Sequence, residues 1–399
     1  TLGWAGPGVN GRSLSRDKGE VGFGDLIAAR GAEVLGAEGF AAYRTARREL
    51  EQLKKDPPGE QRALSAVEGE TRDTFVMVRG NPHVTGKKVL PGFPHILGFP
   101  EPAQDGPKRR LVLADWIASP ANPLTGRVIV NRLWQFHFGK GIVSTANDFG
   151  HFGELPSDQA LLDWLATDFV ASGWKIKRFH KQLMTSRTYK LASSDDAGAL
   201  AKDPQNDLHW RFSMRRLTGE EIRDSILAVD GTLNPSMGGP SVFPPMPAEV
   251  LATSSHPADV WGHSSADDAA RRSIYIKVKR SLLYPLLAAH DFADTDASCP
   301  VRFATTVPTQ ALTMLNSTLM AEQSAAFARR LRKEAGNDAT QQVRLALALA
   351  TQRAPTDKEI VRGLGFLREL KQKDHLADDR ALETYCLMVL NLNEFVYLD

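Results

Sequence analysis

The loop at residues 147–154 carries the residues best suited to acid–base chemistry. It reads NDFGHFGE, so that glycines and a histidine separate Asp148 from Glu154. Two carboxylates in different environments serve as acid and base in hydrolysis, and loops held by rigid helices commonly carry such sites. The same pattern also fits a plain turn, in which Asp148 caps the backbone and Glu154 faces solvent. We take both acids as candidate catalytic residues, with the turn as the alternative.

The preceding segment, PLTGRVIVNRLWQFHF at residues 123–138, predicts a helix that is apolar on nearly every face. A helix of this kind is typically buried, and its polar side chains then need hydrogen-bond partners. We therefore expect it to be largely buried within a polar network. That network either fixes helix packing or forms the wall of a site. In the second interpretation His137 is catalytic, and the candidate ligand-binding residues are Asn131, Arg132 and Trp134.

Residues 290–310, HDFADTDASCPVRFATTVPTQ, form a second polar cluster. Its aspartates suggest calcium, but their spacing does not match a calcium-binding helix–loop–helix, so we predict no metal site. Cys299 and His290 would suit a thiol nucleophile only if the fold brought them together. Arg302 is a further candidate ligand-binding residue, because it precedes a predicted helix whose N-terminus could hold an anion. An ordinary helix cap is the alternative.

The elements that must position these residues are predicted to be mainly helical. Apolar periodicity, caps and breakers predict helices at residues 31–55, 110–118, 124–138, 157–169, 179–189, 222–229, 308–334 and 381–395. Two capping boxes, Thr218–Glu221 and Thr356–Glu359, begin helices. Alternating side chains predict short strands at residues 74–79 and 273–278.

The fold class that follows is mainly α, a large helical domain with a small β element. We place this domain at residues 108–399. Residues 1–107 are predicted to be an N-terminal extension, which includes the helix at residues 31–55 and ends in an arm rich in proline and glycine that has no helical periodicity.

The composition of the chain and the motifs it lacks argue against several classes of function. The chain has 49 basic and 47 acidic residues, so its charge balance gives no reason to expect nucleic acid as a partner. No apolar run approaches the roughly 18 residues of a membrane span. The P-loop, the dinucleotide-binding glycine motif and His-Glu-x-x-His are missing from the sequence. Two cysteines are too few for a disulfide-built scaffold, and the sequence leaves open whether Cys299 and Cys386 pair.

Several blocks of the sequence resemble one known family, in the right order and spacing. They are LADWIASPANPLTGRVIVNRLWQFHFGKG, MRRLTGEEIRDSILAVDG, RRSIYIKVKR, SCPVRFATTVPTQALTMLN and LNLNEFVYLD. These blocks are similar to the planctomycete-type PSD domain, also called domain of unknown function fifteen-fifty-three. The resemblance covers about residues 70–399, and the first 60 residues look like the end of a preceding domain.

The resemblance implies a context for the domain and leaves its reaction open. Such domains are generally exported, often lie behind a cytochrome-c-like domain, and belong to polysaccharide-degrading bacteria. It therefore implies an extracytoplasmic location (periplasm or cell surface), a cytochrome-c-like partner that carries any haem, and polysaccharide as a further partner.

Three functions are compatible with these residues and this resemblance. We expect a carbohydrate-active enzyme, or an enzyme module, that works with the cytochrome-c-like redox partner. One alternative is a non-catalytic binding or assembly module of a polysaccharide-degrading surface system. The other is a hydrolase that uses Asp148 and Glu154, with His137 nearby.

The purified chain is predicted to carry no covalently bound haem, because it contains no Cys-x-x-Cys-His attachment sequence. The test is the absorbance of the chain purified from a host that matures c-type cytochromes. We expect no Soret band after denaturation and extraction. A band that survives both treatments would contradict the prediction.

Overall fold

A computed structural model describes residues 23–55, 73–99, 102, 109–256 and 260–398. The chain divides into two compact units, Thr1–Leu90 and Pro91–Asp399. Parts of the predicted N-terminal extension, including the end of its proline- and glycine-rich arm, lie outside the described residues.

The first unit contains a long helix, α1 (Phe23–Lys55), and a two-stranded antiparallel sheet. The helix is kinked at Gly36, where the backbone is non-helical with φ 69°. The sheet pairs β1 (Thr74–Met77) with β2 (Thr85–Val89). The strand predicted at 74–79 is therefore shorter, because Val78–Gly80 turn into a 3₁₀ helix with Arg79 at φ 53°.

The second unit is helical, as the apolar periodicity predicts. Its first part contains α2 (Arg109–Ala118), α3 (Thr125–Phe138), α4 (Gln159–Ala171), α5 (Ile176–Thr185), α6 (Ala197–Lys202), α7 (Gly219–Asp230), α8 (Ala248–Leu251), α9 (Ala266–Ala269) and α10 (Pro285–Ala289). Its second part contains α11 (Pro308–Asn316), α12 (Thr318–Ala335), α13 (Ala339–Thr351), α14 (Asp357–Gln372), α15 (Asp378–Val389) and α16 (Asn393–Val396). The mainly α fold class is confirmed.

Two hydrophobic cores organise these helices. The smaller core joins α3, α4 and α5 around Val130, Leu162 and Phe169, all nearly inaccessible to solvent. The larger core joins α7 and α10–α15, with Phe327 and Leu331 of α12 at full burial. Cys386 lies in this larger core, and both Cys299 and Cys386 are free thiols.

The local signals for helix bounds were only partly correct. Both capping boxes are confirmed, at Thr218 of α7 and Thr356 of α14. The helix predicted at 157–169 begins two residues later, because Asp158 caps α4 by accepting from the Leu161 N–H. The helix predicted at 308–334 is two helices, because Ser317 ends α11 in an extended conformation and caps α12.

The strand predicted at 273–278 is wrong. Ser273–Tyr275 form a 3₁₀ helix, followed by a single bridge from Ile276 to Val242. Side chains of α7 hold this segment: Asp224 Oδ1 accepts the Ser273 N–H at 2.7 Å. The second sheet instead pairs β3 (Arg215–Arg216) with β4 (Tyr397–Leu398).

The prediction that α3 is largely buried within a polar network is confirmed, because its polar side chains are hydrogen-bonded and only Ile129 and Phe136 are exposed. Val130, Asn131, Trp134 and Phe138 form its buried face, but Phe136 is 67% exposed. The apolar residues surround the helix, whereas α4 and α5 cover one side of it. The all-round pattern therefore overestimates burial only at Ile129 and Phe136.

A buried ion pair organises the 290–310 segment. Arg216 Nη2 lies 2.5 Å from Asp291 Oδ2, and the Arg216 side chain is only 7% exposed. Asp291 also accepts from the Thr305 N–H at 2.9 Å and from the Thr305 hydroxyl at 2.8 Å. Burial opposes ionisation, but these hydrogen bonds and the charge of Arg216 outweigh it and lower the pKa of Asp291. Asp291 therefore links the segment that precedes α11, through Thr305, to Arg216 of β3.

We predict that Asp291→Asn lowers the free energy of unfolding by about 2–4 kcal/mol, because it leaves the buried Arg216 without a counter-charge. Asparagine tolerates the left-handed φ of 58° at this position, so the substitution tests the charge. The measurement is denaturant unfolding followed by circular dichroism.

Asp296→Asn is the matched control. Asp296 pairs with Arg280, and both side chains are 71% exposed. An exposed pair contributes about 0–1 kcal/mol, so the control should change stability little. Equal effects of the two substitutions would contradict the role of Asp291.

Candidate functional site

The predicted catalytic histidine belongs to a histidine pair. His137 Nε2 of α3 lies 2.8 Å from His180 Nδ1 of α5, and the ring of Tyr189 packs edge-on against His137. Burial lowers the pKa of His137, and repulsion from His180 and Arg215 lowers it further. Sequence reasoning missed His180, because 43 positions separate it from His137.

Asn131 and Arg132 anchor the backbone after α3. Asn131 Nδ2 donates to the Val143 carbonyl at 2.9 Å, and its Oδ1 accepts the Val143 N–H at 2.8 Å. Arg132 Nη2 donates to Asn147 Oδ1 at 2.8 Å. The amide of Asn131 is fully buried, so its contacts are those of a structural clamp.

The two candidate carboxylates lie on the loop that this clamp holds. Asp148 Oδ1 accepts the Gly150 N–H at 2.8 Å, which closes an Asx turn. Glu154 is exposed, and its N–H donates to the Thr145 hydroxyl at 2.9 Å. These contacts correspond to the turn alternative, and a catalytic role of the two acids stays a prediction.

Trp134 and Arg302 are engaged by other residues. Trp134 is 4% exposed and stacks on Phe138, with ring centroids 4.1 Å apart, so it presents no open face. Arg302 Nη1 donates to both carboxylate oxygens of Glu220, at 2.8 and 2.9 Å. In the described structure, Asn131 and Arg132 therefore bind the chain that leads into the loop, whereas Arg302 binds Glu220 of α7.

A cavity of about 390 Å³ lies elsewhere in the second unit. Side chains of α7, α9, α10 and α12 line it, together with the Pro-Pro-Met-Pro run at residues 244–247. Its volume falls within the range of small-molecule sites. None of the sequence-predicted site residues contributes to its lining.

Arg223 lies at the cavity and is 2% exposed. Its Nη1 donates to the Arg271 carbonyl at 2.9 Å and to the Ser273 hydroxyl at 3.2 Å, and its Nη2 donates to the Ala269 carbonyl. Its Nε is buried and makes no hydrogen bond within the described structure. A buried donor without an acceptor is costly, so the hydrogen bonds of the Nη groups must hold this guanidinium in place.

Tyr284 and Glu322 complete the polar lining near Arg223. The Tyr284 hydroxyl interacts with the Arg223 guanidinium. Burial raises the pKa of Tyr284 despite the opposing charge of Arg223, and Glu322 adds to the rise. Burial likewise lowers the pKa of Arg223. The cavity therefore combines a desolvated cation with a neutral phenol.

The spacing of residues in the sequence could have identified Arg223 as a buried residue, although no motif includes it. Arg223 precedes Ile226, Leu227 and Asp230 by three, four and seven positions, which is the spacing of one helix face. Ile226 and Leu227 are apolar and buried, so the arginine shares their face. A charged residue on an apolar helix face would have indicated a buried polar centre.

A second cavity, of about 460 Å³, lies among α13, α14 and α15. The hydroxyl of Tyr385 is buried beside it without a hydrogen-bond partner. At its edge Arg353 pairs with both Glu359 and Glu394. These charged groups at its rim therefore pair with one another.

Among the described residues, no three side chains of histidine, cysteine, aspartate or glutamate are grouped to hold a metal ion. No described helix combines the length and the apolar character that a membrane crossing requires.

Comparison with known families matched residues 109–367 to PSD1, described as protein of unknown function (DUF1553). The chain belongs to this family. Neither curated proteins nor solved structures gave a match. The PSD1 match includes α3, the loop with Asp148 and Glu154, and all residues that line the Arg223 cavity.

We predict that His137 titrates below the ordinary histidine value of about 6.5. Because its folded-state pKa is lowered, the stability linked to His137 is present above the unfolded pKa. It is lost as the pH falls through the folded pKa. The measurement is a ¹³C-histidine NMR titration, with the His137 resonance assigned by its loss in His137→Gln. A midpoint at or above 6.5 would contradict the prediction.

Proposed function

We propose that this chain is the ligand-binding module of an extracytoplasmic, carbohydrate-processing protein, and that a sugar-sized molecule occupies the Arg223 cavity. The observation that carries the proposal is the cavity of about 390 Å³, whose lining is mainly apolar and includes a few polar side chains, among them the buried Arg223. This size and this composition are those of small-molecule sites.

The remaining lining supports a compact occupant with one apolar face. Prolines, Met246 and Leu319 form the apolar part, and Thr232 and Gln323 add hydrogen-bonding groups. Small-molecule sites have this composition, with mostly apolar walls and a few polar groups that fix orientation. A sugar ring presents C–H groups to such a wall and hydroxyls to such polar groups.

The biological setting of the proposal comes from the family resemblance. It supports export, a polysaccharide-degrading context and a cytochrome-c-like redox partner. In this setting the module would bring a carbohydrate to chemistry performed with that partner. The contacts of Asp148 and Glu154 favour binding over hydrolysis as the role of this chain, because Asp148 closes a turn and Glu154 is exposed.

We predict that at least one of four sugars, namely glucose, galactose, glucuronate and galacturonate, binds the chain in isothermal titration calorimetry. Ala266→Phe should weaken that binding at least tenfold, which is about 1.4 kcal/mol. The reason is steric: Ala266 is an exposed residue at the cavity lining, where a phenyl ring occupies space that the sugar needs.

Ala321→Phe is the matched control, since Ala321 is exposed on α12 and does not line the cavity. It should bind as the unmodified chain does. Absence of binding by all four sugars, or equal affinities for Ala266→Phe and the unmodified chain, would overturn the proposal.

A further inference from the structure

We infer that α5 and the turn after it form a basic surface that binds an acidic polysaccharide chain. Six cations define this basic surface: Lys175, Lys177, Arg178, Lys181, Arg187 and Lys190. None of them lines the Arg223 cavity, so the basic surface is a second site. The inference rests on the proposed function only for its setting, in which the partner is a carbohydrate.

The first argument is that the charge of the basic surface is not neutralised within the chain. Residues 169–194 contain no aspartate or glutamate, and all six cations are exposed. Within the described structure only Arg178 forms an ion pair, in which its Nη1 and Nη2 bind the Asp168 carboxylate at 2.7 and 3.0 Å. The other five positive charges are therefore available to a partner outside the chain.

The second argument is that these cations do not stabilise α5. Lys177 and Lys181 lie four positions apart on one helix face, where like charges repel each other. Lys175 is the N-cap residue and Lys177 follows in the first turn, where the helix dipole disfavours positive charge. The opposite face, with Phe179 and Leu183, is buried in the smaller core. A polyanion along the exposed face would relieve this repulsion.

The third argument is an exposed tryptophan beside the basic surface, which favours a carbohydrate as the polyanion. Trp164 of α4 is 58% exposed. It lies one turn before Asp168 on the same helix face, and Asp168 is bound to Arg178 of the basic surface. An indole offers a flat apolar surface to the C–H groups of a sugar ring. The carboxylates of the same polysaccharide would then meet the neighbouring lysines.

The burial of α5 argues against an anionic membrane as the partner. A basic helix that binds a membrane inserts its apolar face into the lipid. In α5 that face carries Phe179 and Leu183, which are only 1% and 3% exposed, because the helix packs on α3. Ile176 and Met184, at the two ends of α5, are the only apolar side chains of this helix that are exposed. An extended acidic polysaccharide needs no such insertion.

The test is the affinity of the full chain for polygalacturonate, measured by biolayer interferometry at low salt, where exposed charges are least screened. We expect polygalacturonate to bind and neutral dextran not to bind. Lys177→Gln combined with Lys181→Gln should weaken binding about tenfold, the loss expected for two exposed ion pairs. Trp164→Ala leaves the charge unchanged and should weaken binding about threefold, the size of one aromatic contact.

Lys358→Gln combined with Arg362→Gln is the matched control. It removes two exposed cations that lie four positions apart on α14 and form no ion pair within the described structure. This control should bind polygalacturonate as the unmodified chain does, and so should Ala266→Phe, which alters the Arg223 cavity.

Three results would overturn the inference and leave the proposed function standing: no binding of polygalacturonate, equal binding of dextran, or equal losses in the two double variants. Equally tight binding of polyglutamate or of phosphatidylglycerol vesicles, with no effect of Trp164→Ala on polygalacturonate, would also overturn it. Failure of the four sugars to bind the Arg223 cavity would overturn the proposed function, whereas polygalacturonate binding is measured independently of that cavity.

Discussion

The buried guanidinium of Arg223 is the interaction on which the second unit depends. Its Nη groups hold the carbonyls of Ala269 and Arg271, where the chain forms turns instead of a regular sheet. Backbone groups in such irregular segments need partners, and a long charged side chain from a packed helix supplies them. Arg223 is also a residue of the cavity lining. The residue that secures these irregular segments therefore also belongs to the proposed site.

Other side chains in the first turns of α7 also bind neighbouring segments of the chain. Glu220 binds Arg302, Glu221 binds Arg215 in two hydrogen bonds, and Asp224 accepts the Ser273 N–H. Successive side chains of one helix thus anchor β3, the segment before α11 and the segment after α9. This concentration of anchors explains how long irregular connections pack reproducibly against a helical core. It also means that changes in α7 would alter both stability and ligand binding.

The sequence predicted the features that local interactions determine. The capping boxes at Thr218 and Thr356 involve neighbours three positions apart, so they could be recognised directly. The prediction of a strand at 273–278 failed because the alternation of side chains there is typical of a strand. In the structure, Arg223 and Asp224, about 50 positions earlier in the sequence, bind the backbone at and next to this segment instead. The predicted site residues were similarly placed by contacts invisible in the sequence, as when Arg302 pairs with Glu220. Cavity lining drawn from residues 223–329 has no local signature.

The central claim is that a sugar-sized molecule occupies the Arg223 cavity. The most direct measurement is ¹⁵N NMR of arginine Nε–H groups during titration with glucose, galactose, glucuronate and galacturonate, with Arg223 assigned by the loss of its resonance in Arg223→Lys. We predict that at least one of these sugars shifts the Arg223 Nε–H resonance, because Arg223 lines the cavity and an occupant changes its surroundings. An Arg223 resonance that none of the four sugars changes would contradict the account.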